Sequence, residues 1–413
     1  MASVDMLALL EEVEGRFKAR EPQVLALVPE EGRFERLRRE ARALLDRYPE
    51  PGARPPLFGV LVGVKDIFHV DGFLTRAGSK LPPDLFQGGE SESVTILKKA
   101  GALILGKTVT TEFAYFAPGP TRNPHNAGHT PGGSSSGSAA AVGADFCSLA
   151  LGTQTIGSIT RPAAFCGVVG YKPSYDRISR AGVIPLAPSL DHVGTFTPDV
   201  AGVALAASLL CRDWRLEIVR RKPVLGIPEG LYLASATDEG LAHFRAVCER
   251  LAASGYEIRP IQAMPDFEEI RARHNLIVAG EAARVHAEWF SRFGDLYHAK
   301  TADLIRRGQS ASDAELSEAL AGREKLRREL TALMDEHGID VWISPPAPGP
   351  APSGLESTGD PVMNLPWTHS GLPTVCLPAG KSEDGLPMGL QIAGRWYTDE
   401  TLLAWARDVE VVL

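Results

Sequence analysis

The sequence predicts an α/β fold: a central mixed β-sheet flanked by helices, interrupted by a helix-rich stretch. Three observations predict it. Strand-like and helix-like segments alternate to about residue 210, the order expected of an α/β core. Long, charged, amphipathic helical patterns then dominate residues 213–337, and strand-like segments return beyond 338. The chain reads as one unit: N-terminal helices over 1–55, a core over 56–212, a helix-rich insertion over 213–337, and a return to the core sheet over 338–413.

Taken in order, residues 4–20 and 31–48 carry apolar positions at helical spacing between charges and predict two surface helices. After the Pro51–Pro56 break, Phe58-Gly-Val-Leu-Val-Gly-Val-Lys65-Asp66 predicts a buried strand with a lysine at its end. Residues 91–100 predict a helix, Ala102 to Leu105 a short strand, and the small apolar run 138–151 a buried helix. Pro223 to Ile227 is a strand candidate; helices follow at 238–253, 266–292 and 312–337, the last opening with the capping box Ser312-x-x-Glu315. Three strands close the chain, at 340–343, 374–377 and 388–392.

Of the 413 residues, 44% are hydrophobic and 23% charged, an ordinary globular balance. The net charge of -8 argues against a phosphate-tracking surface, so no nucleic-acid partner is expected. No apolar run is long enough for a membrane span, no signal peptide opens the chain, and a cytoplasmic enzyme is expected. The five cysteines are scattered and lack CxxC spacing, which speaks against a disulfide framework or a zinc site. His125 and His129 are four apart, but Pro124 and Gly128 keep them off one helix face. Gly101-Ala-Leu-Ile-Leu-Gly106-Lys107-Thr108 fits the P-loop pattern by letter. Its middle is a buried strand, however, where a phosphate cradle needs an exposed polar loop. No metal or organic cofactor is expected.

Thr130-Pro-Gly-Gly-Ser134-Ser-Ser-Gly-Ser138 has the composition of a flexible linker. It runs straight into Ala139–Ala144, however, which is apolar and suited to burial. A second small-residue loop follows, Gly152-Thr-Gln154-Thr155-Ile156-Gly157-Ser158-Ile-Thr160-Arg161-Pro162. Two such loops beside buried segments can supply what acyl transfer needs: a nucleophilic hydroxyl, a proton acceptor and backbone amides for an oxyanion. Lys65 suits the acceptor, because a buried lysine loses part of its preference for charge.

These segments resemble the amidase signature family. Its lysine-bearing strand looks like Gly59–Asp66, and its GKT-x-x-TEF segment like Gly106–Phe113, which accounts for the P-loop letters. The Gly/Ser signature looks like Asn123–Val142; Lys172–Arg180, Ser189–Gly194, Gly371–Pro373 and Gly385–Gln391 are similar as well. The resemblance implies the amidase signature fold and a Ser–cis-Ser–Lys triad. Ser158 would be the nucleophile, Ser134 a relay behind a cis peptide after Gly133, and Lys65 the base. The N–H groups of Thr155, Ile156, Gly157 and Ser158 would form the oxyanion hole, Ser135 and Ser136 would support the Gly/Ser loop by hydrogen bonds, with Gln154 as a further supporting residue, and Gly133 would line the substrate site.

Gln154 and Ile156 stand where the family usually has Asp and Gly, and Arg161 replaces an arginine one place earlier. That variant is similar to malonamidase-type members and implies Arg161 as an anchor for a substrate carboxylate. The expected function is hydrolysis of a small carboxylic amide, with a homodimer possible. The alternative is the transferase subunit of a tRNA-dependent amidotransferase.

Overall fold

The computed structural model describes residues 5–413. Ten strands form one sheet: β1 (Leu61–Lys65), β2 (Leu103–Thr108), β3 (Leu149–Gln154), β4 (Val169–Lys172), β5 (His192–Thr197), β6 (Leu225–Glu229), β7 (Ile258–Gln262), β8 (Val341–Ser344), β9 (Thr374–Lys381) and β10 (Pro387–Ala393). Their spatial order is β2-β1-β3-β5-β4-β9-β10-β8-β6-β7. Pairing is parallel among β2, β1 and β3 at one end and among β8, β6 and β7 at the other, and antiparallel between. The sheet is therefore mixed, as expected.

The helices are α1 (Met6–Val24), α2 (Arg33–Arg47), α3 (Glu92–Lys99), α4 (Ser136–Gly143), α5 (Thr160–Cys166), α6 (Val200–Leu210), α7 (Asp238–Ala253), α8 (Phe267–Val285), α9 (Ala287–Phe293), α10 (Ala299–Gln309), α11 (Asp313–Glu336), α12 (Leu365–His369) and α13 (Asp399–Glu410). Thr237 caps α7 through Gly240 N, and both halves of the Ser312/Glu315 capping box form at the start of α11.

Two expectations change. The run 138–151 is not one helix: α4 ends at Gly143, Asp145 takes a left-handed turn, and β3 begins at Leu149. A uniformly small and apolar run carries no periodicity, so helix and buried strand look alike in it. The span 266–292 is likewise two helices, divided at His286. Residues 213–337 do more than supply helices, because β6 and β7 extend the common sheet.

β1 is buried along its whole length between β2 and β3, which suits its unbroken apolar reading. Its last residue, Lys65, is thereby carried into the interior. The β9–β10 hairpin inserts between β4 and β8, and the chain leading into it forms the short helix α12. One apolar cluster joins Ile156, Leu186, Phe267, Ile277, Trp367 and Leu372, so the turn after β3, α8 and the region of α12 share a core. All five cysteines are free. No helix among the described residues is long and apolar enough to cross a membrane.

Candidate active site

Lys65 is fully buried at the end of β1. Its Nζ lies 2.8 Å from Ser134 Oγ, 3.0 Å from Ser135 Oγ and 2.8 Å from Thr153 Oγ1. Burial holds the amine well below its usual pKa, against a weaker upward pull from the Asp191 charge. Ser135 donates its own proton to the Thr153 carbonyl at 3.1 Å, so towards the lysine it can only accept. The Ser134 hydroxyl has no other hydrogen-bond partner among the described residues and is free to donate to a neutral lysine.

The Gly/Ser stretch is built into the core and does not behave as a linker. The Gly133–Ser134 peptide is cis. Ser136 Oγ donates to the Gly132 carbonyl at 2.8 Å, and Ser138 Oγ donates to the Leu151 carbonyl at 2.9 Å. Gly132 has φ +82 and lies against Pro162 at the start of α5, where a Cβ would come within 2.7 Å of Pro162 Cα. The two small-residue loops are thus in direct contact.

Ser158 sits in the turn between β3 and α5 and is 7% exposed. The structure brings Lys65, Ser134, Ser135 and Thr153 into one hydrogen-bonded group. It records no hydrogen bond from that group to the Ser158 hydroxyl. Among the described residues, the N–H groups of Thr155, Ile156, Gly157 and Ser158 donate to nothing within the protein. Unpaired donors in a mostly buried turn are costly unless something else accepts from them, and they suit an oxyanion.

Gln154 holds this turn from inside. Its Oε1 accepts from Ile159 N at 2.8 Å and Thr160 N at 3.0 Å, and its Nε2 donates to Thr368 Oγ1 at 2.9 Å. Thr155 Oγ1 donates to Asp191 Oδ1 at 2.6 Å; Asp191 Oδ2 accepts from Leu186 N and Ala187 N. Burial raises the Asp191 carboxyl to about 6 despite these bonds. Thr153 and Asp191 line a cavity of about 220 Å³ with Ile67, Ile184, Leu186 and Val193. A second cavity of about 470 Å³ opens beside Thr358 and Pro361 and includes Tyr115, Lys300, Arg307 and Asp360.

Arg161 is almost wholly buried. Its Nη1 donates to the Gly359 carbonyl at 2.5 Å, and its Nη2 donates to the Gly133 carbonyl at 2.6 Å and to Thr358 Oγ1 at 3.2 Å. Both terminal nitrogens are occupied by the protein itself; only Nε lacks a partner. Here the arginine ties the cis loop to the 358–359 turn. Gly133 lies in that tie, with Thr358 packed close against it. Lys107, the lysine of the P-loop letters, is paired with Asp66 at 2.7 Å.

Asn364 and Thr368 were not among the residues picked out in the sequence. Asn364 Nδ2 lies within hydrogen-bond distance of Thr160 Oγ1, the Pro346 carbonyl and Gln391 Oε1 and shares its two protons among them, while its Oδ1 is buried without a partner against Gly157. Thr368 Oγ1 donates to the Ile156 carbonyl at 2.6 Å. Both lie some 200 residues beyond the turn they hold, and no local pattern marks them.

The family model described as Amidase matches residues 9–403. A glutamyl-tRNA(Gln) amidotransferase subunit of Synechococcus sp. (strain RCC307) is 32% identical, over 96% of this chain and 91% of its own length. Its counterpart in Geobacter metallireducens is also 32% identical, over 98% and 92%. A solved structure described as a crystal structure of amidase superposes with a TM-score of 0.89 at 34% identity, covering 99% of this chain and 96% of that one.

These relatives overturn one expectation. A nucleic-acid partner was excluded on net charge, yet the curated relatives are subunits of an enzyme named for glutamyl-tRNA(Gln). Net charge sums the whole surface of one chain. It does not report on a substrate met by an assembly of several. The exclusion is withdrawn. Fold, site geometry and family model agree that the chain belongs to the amidase family.

Proposed function

We propose that the protein cleaves a carboxylic amide through an acyl-enzyme on Ser158. Neutral Lys65 accepts the Ser134 proton, and Ser134 takes the proton of Ser158 as its oxygen attacks the amide carbon. The carbonyl oxygen becomes an oxyanion held by the free N–H groups of residues 155–158. Collapse breaks the C–N bond. The proton held at Lys65 returns through Ser134 to the departing nitrogen, which leaves as ammonia or an amine. Water then attacks the ester carbonyl, gives its proton along the same relay, and releases the acid and Ser158. The observation that carries this reading is the buried amine of Lys65, 2.8 Å from a hydroxyl with no other partner, beside a turn of unpaired N–H groups.

The substrate we favour is a small uncharged amide. Arg161 is already drawn to the Gly359 and Gly133 carbonyls and Thr358 Oγ1, which leaves Nε as its one nitrogen without a partner and weakens the case for a malonamate-type carboxylate there. A second reading keeps the same acyl-enzyme but passes the nitrogen to an acceptor instead of solvent, as one component of an amidotransferase; the names and coverage of the curated relatives favour it.

Ammonia release from propionamide, malonamate and glutamine, each against a Ser158→Ala blank, tests the proposal. Release from propionamide above the blank supports the hydrolase. Release from glutamine alone supports the transferase reading. Failure of all three, together with failure to acylate on an activated ester, contradicts both.

A further inference from the structure

We infer that Thr368 is a positioning residue that sets the direction in which the Gly157 N–H points. The inference rests on the proposed acyl-enzyme, because it concerns one of that site's oxyanion donors.

The amide of Gln154 is fixed first. Its oxygen must face the two backbone N–H groups of Ile159 and Thr160, since those can only donate, and its nitrogen therefore faces Thr368. That orientation in turn fixes the hydroxyl of Thr368. An amide nitrogen gives protons and takes none, so Thr368 Oγ1 accepts from Gln154 and keeps its own proton for another oxygen. Two carbonyls are within reach, Ile156 at 2.6 Å and Asn364 at 3.3 Å, and distance selects Ile156.

The peptide bond carries the effect across. The C=O of Ile156 and the N–H of Gly157 belong to one planar trans unit and point in opposite directions. A hydroxyl that holds the carbonyl towards α12 turns the N–H away from α12, to the side where no protein group accepts it. Gly157 has no side chain to resist the rotation of this unit, so an outside hold is needed. Thr368 is fully buried and exchanges no hydrogen bond with Lys65, Ser134 or Ser158, which places it outside the reacting group. Gln154 acts through it, as the residue that fixes which way the hydroxyl donates.

An amide at 154 is essential to this arrangement. A carboxylate in its place would accept the Thr368 proton and compete with the Ile156 carbonyl for it. The Gln154–Thr368 pair is thus a matched set: a donor at 154 and a hydroxyl at 368.

The test compares Thr368→Val, Thr368→Ala and Thr368→Ser in the full chain, with Ser158→Ala as blank and p-nitrophenyl acetate as probe. Valine keeps the shape and removes the proton. The expected result is a fall in kcat of about 10- to 100-fold, less than the loss of a whole oxyanion donor, with KM changed less than about threefold and serine restoring most of the rate. A merely structural role would instead lower the melting temperature and leave kcat of the folded fraction near wild type. If valine does not fold, alanine and serine decide: equal kcat in those two overturns the inference. Equal kcat in wild type and valine overturns it as well, while leaving the acyl-enzyme intact. A wild-type protein no faster than Ser158→Ala overturns the acyl-enzyme and this inference together.

Discussion

Lys65 Nζ and Ser134 Oγ lie 2.8 Å apart with the lysine sealed from solvent. That pairing is what the proposed base rests on, because the same burial that hides the amine favours its neutral form. Lys65→Met should abolish the base and lower kcat by about 10²–10⁴-fold. Steady-state kinetics on an activated ester, with circular dichroism to confirm folding, checks this.

Asp191 should tune that base. Its negative charge raises the Lys65 pKa, opposing the larger lowering by burial. Asp191→Asn removes the charge, so Lys65 loses its proton at lower pH and the acidic limb of the kcat profile moves down. A limb that stays in place, or moves up, would mean that the lysine does not carry the profile.

Gly157→Ala should damage the site with little effect on the rest of the fold. The new Cβ would meet the Asn364 amide oxygen inside contact distance and Pro361 Cβ at 2.9 Å. Asn364 cannot swing away cheaply, since three acceptor oxygens lie within 3.0 Å of its nitrogen and take up both of its protons. Overpacking of this kind costs about 1–3 kcal/mol. A drop in melting temperature accompanied by a larger loss of kcat is expected.

The protein should be acid-sensitive well above pH 4. Burial lowers the imidazole of His286 to about 4 and that of His369 to about 3, and holds His192 and His274 well below the usual 6.5. The unfolded chain binds protons at these positions before the folded chain does. Between the folded values and 6.5, each therefore removes up to about 1.4 kcal/mol of stability per pH unit of acidification. Asp191 works the other way: its raised carboxyl, at about 6, favours the folded state as pH falls towards the ordinary 3.8. Burial also raises the carboxyls of Glu21, Asp66, Glu112 and Glu410, but by less, and it lowers His69 and His243 as well. The imidazoles begin to bind protons in the unfolded chain near 6.5, so a net loss is expected as pH falls, which denaturant melts at pH 7, 6 and 5 would show.

Much of this was legible in the sequence where chemistry is local. The strand ending at Lys65, the two small-residue loops and the Ser312 capping box all declare themselves within a dozen residues. The boundary between α4 and β3 did not, because alanine and glycine fit both. Neither did Thr368 and Asn364, whose contacts with the Ser158 turn exist only with β9 and β10 inserted between β4 and β8 and α12 placed behind that turn. Arg161 shows the converse limit. Its type suits a carboxylate, and no local pattern announces that its terminal nitrogens donate to the Gly359 and Gly133 carbonyls.

The acyl-enzyme itself can be caught by mass mapping of the protein quenched during turnover of p-nitrophenyl acetate. One acetyl group is expected on the peptide containing Ser158, absent from Ser158→Ala and formed far more slowly in Lys65→Met. An acetyl group on another residue, or none while nitrophenol is released in a Ser158-dependent way, would contradict a serine acyl-enzyme driven by Lys65.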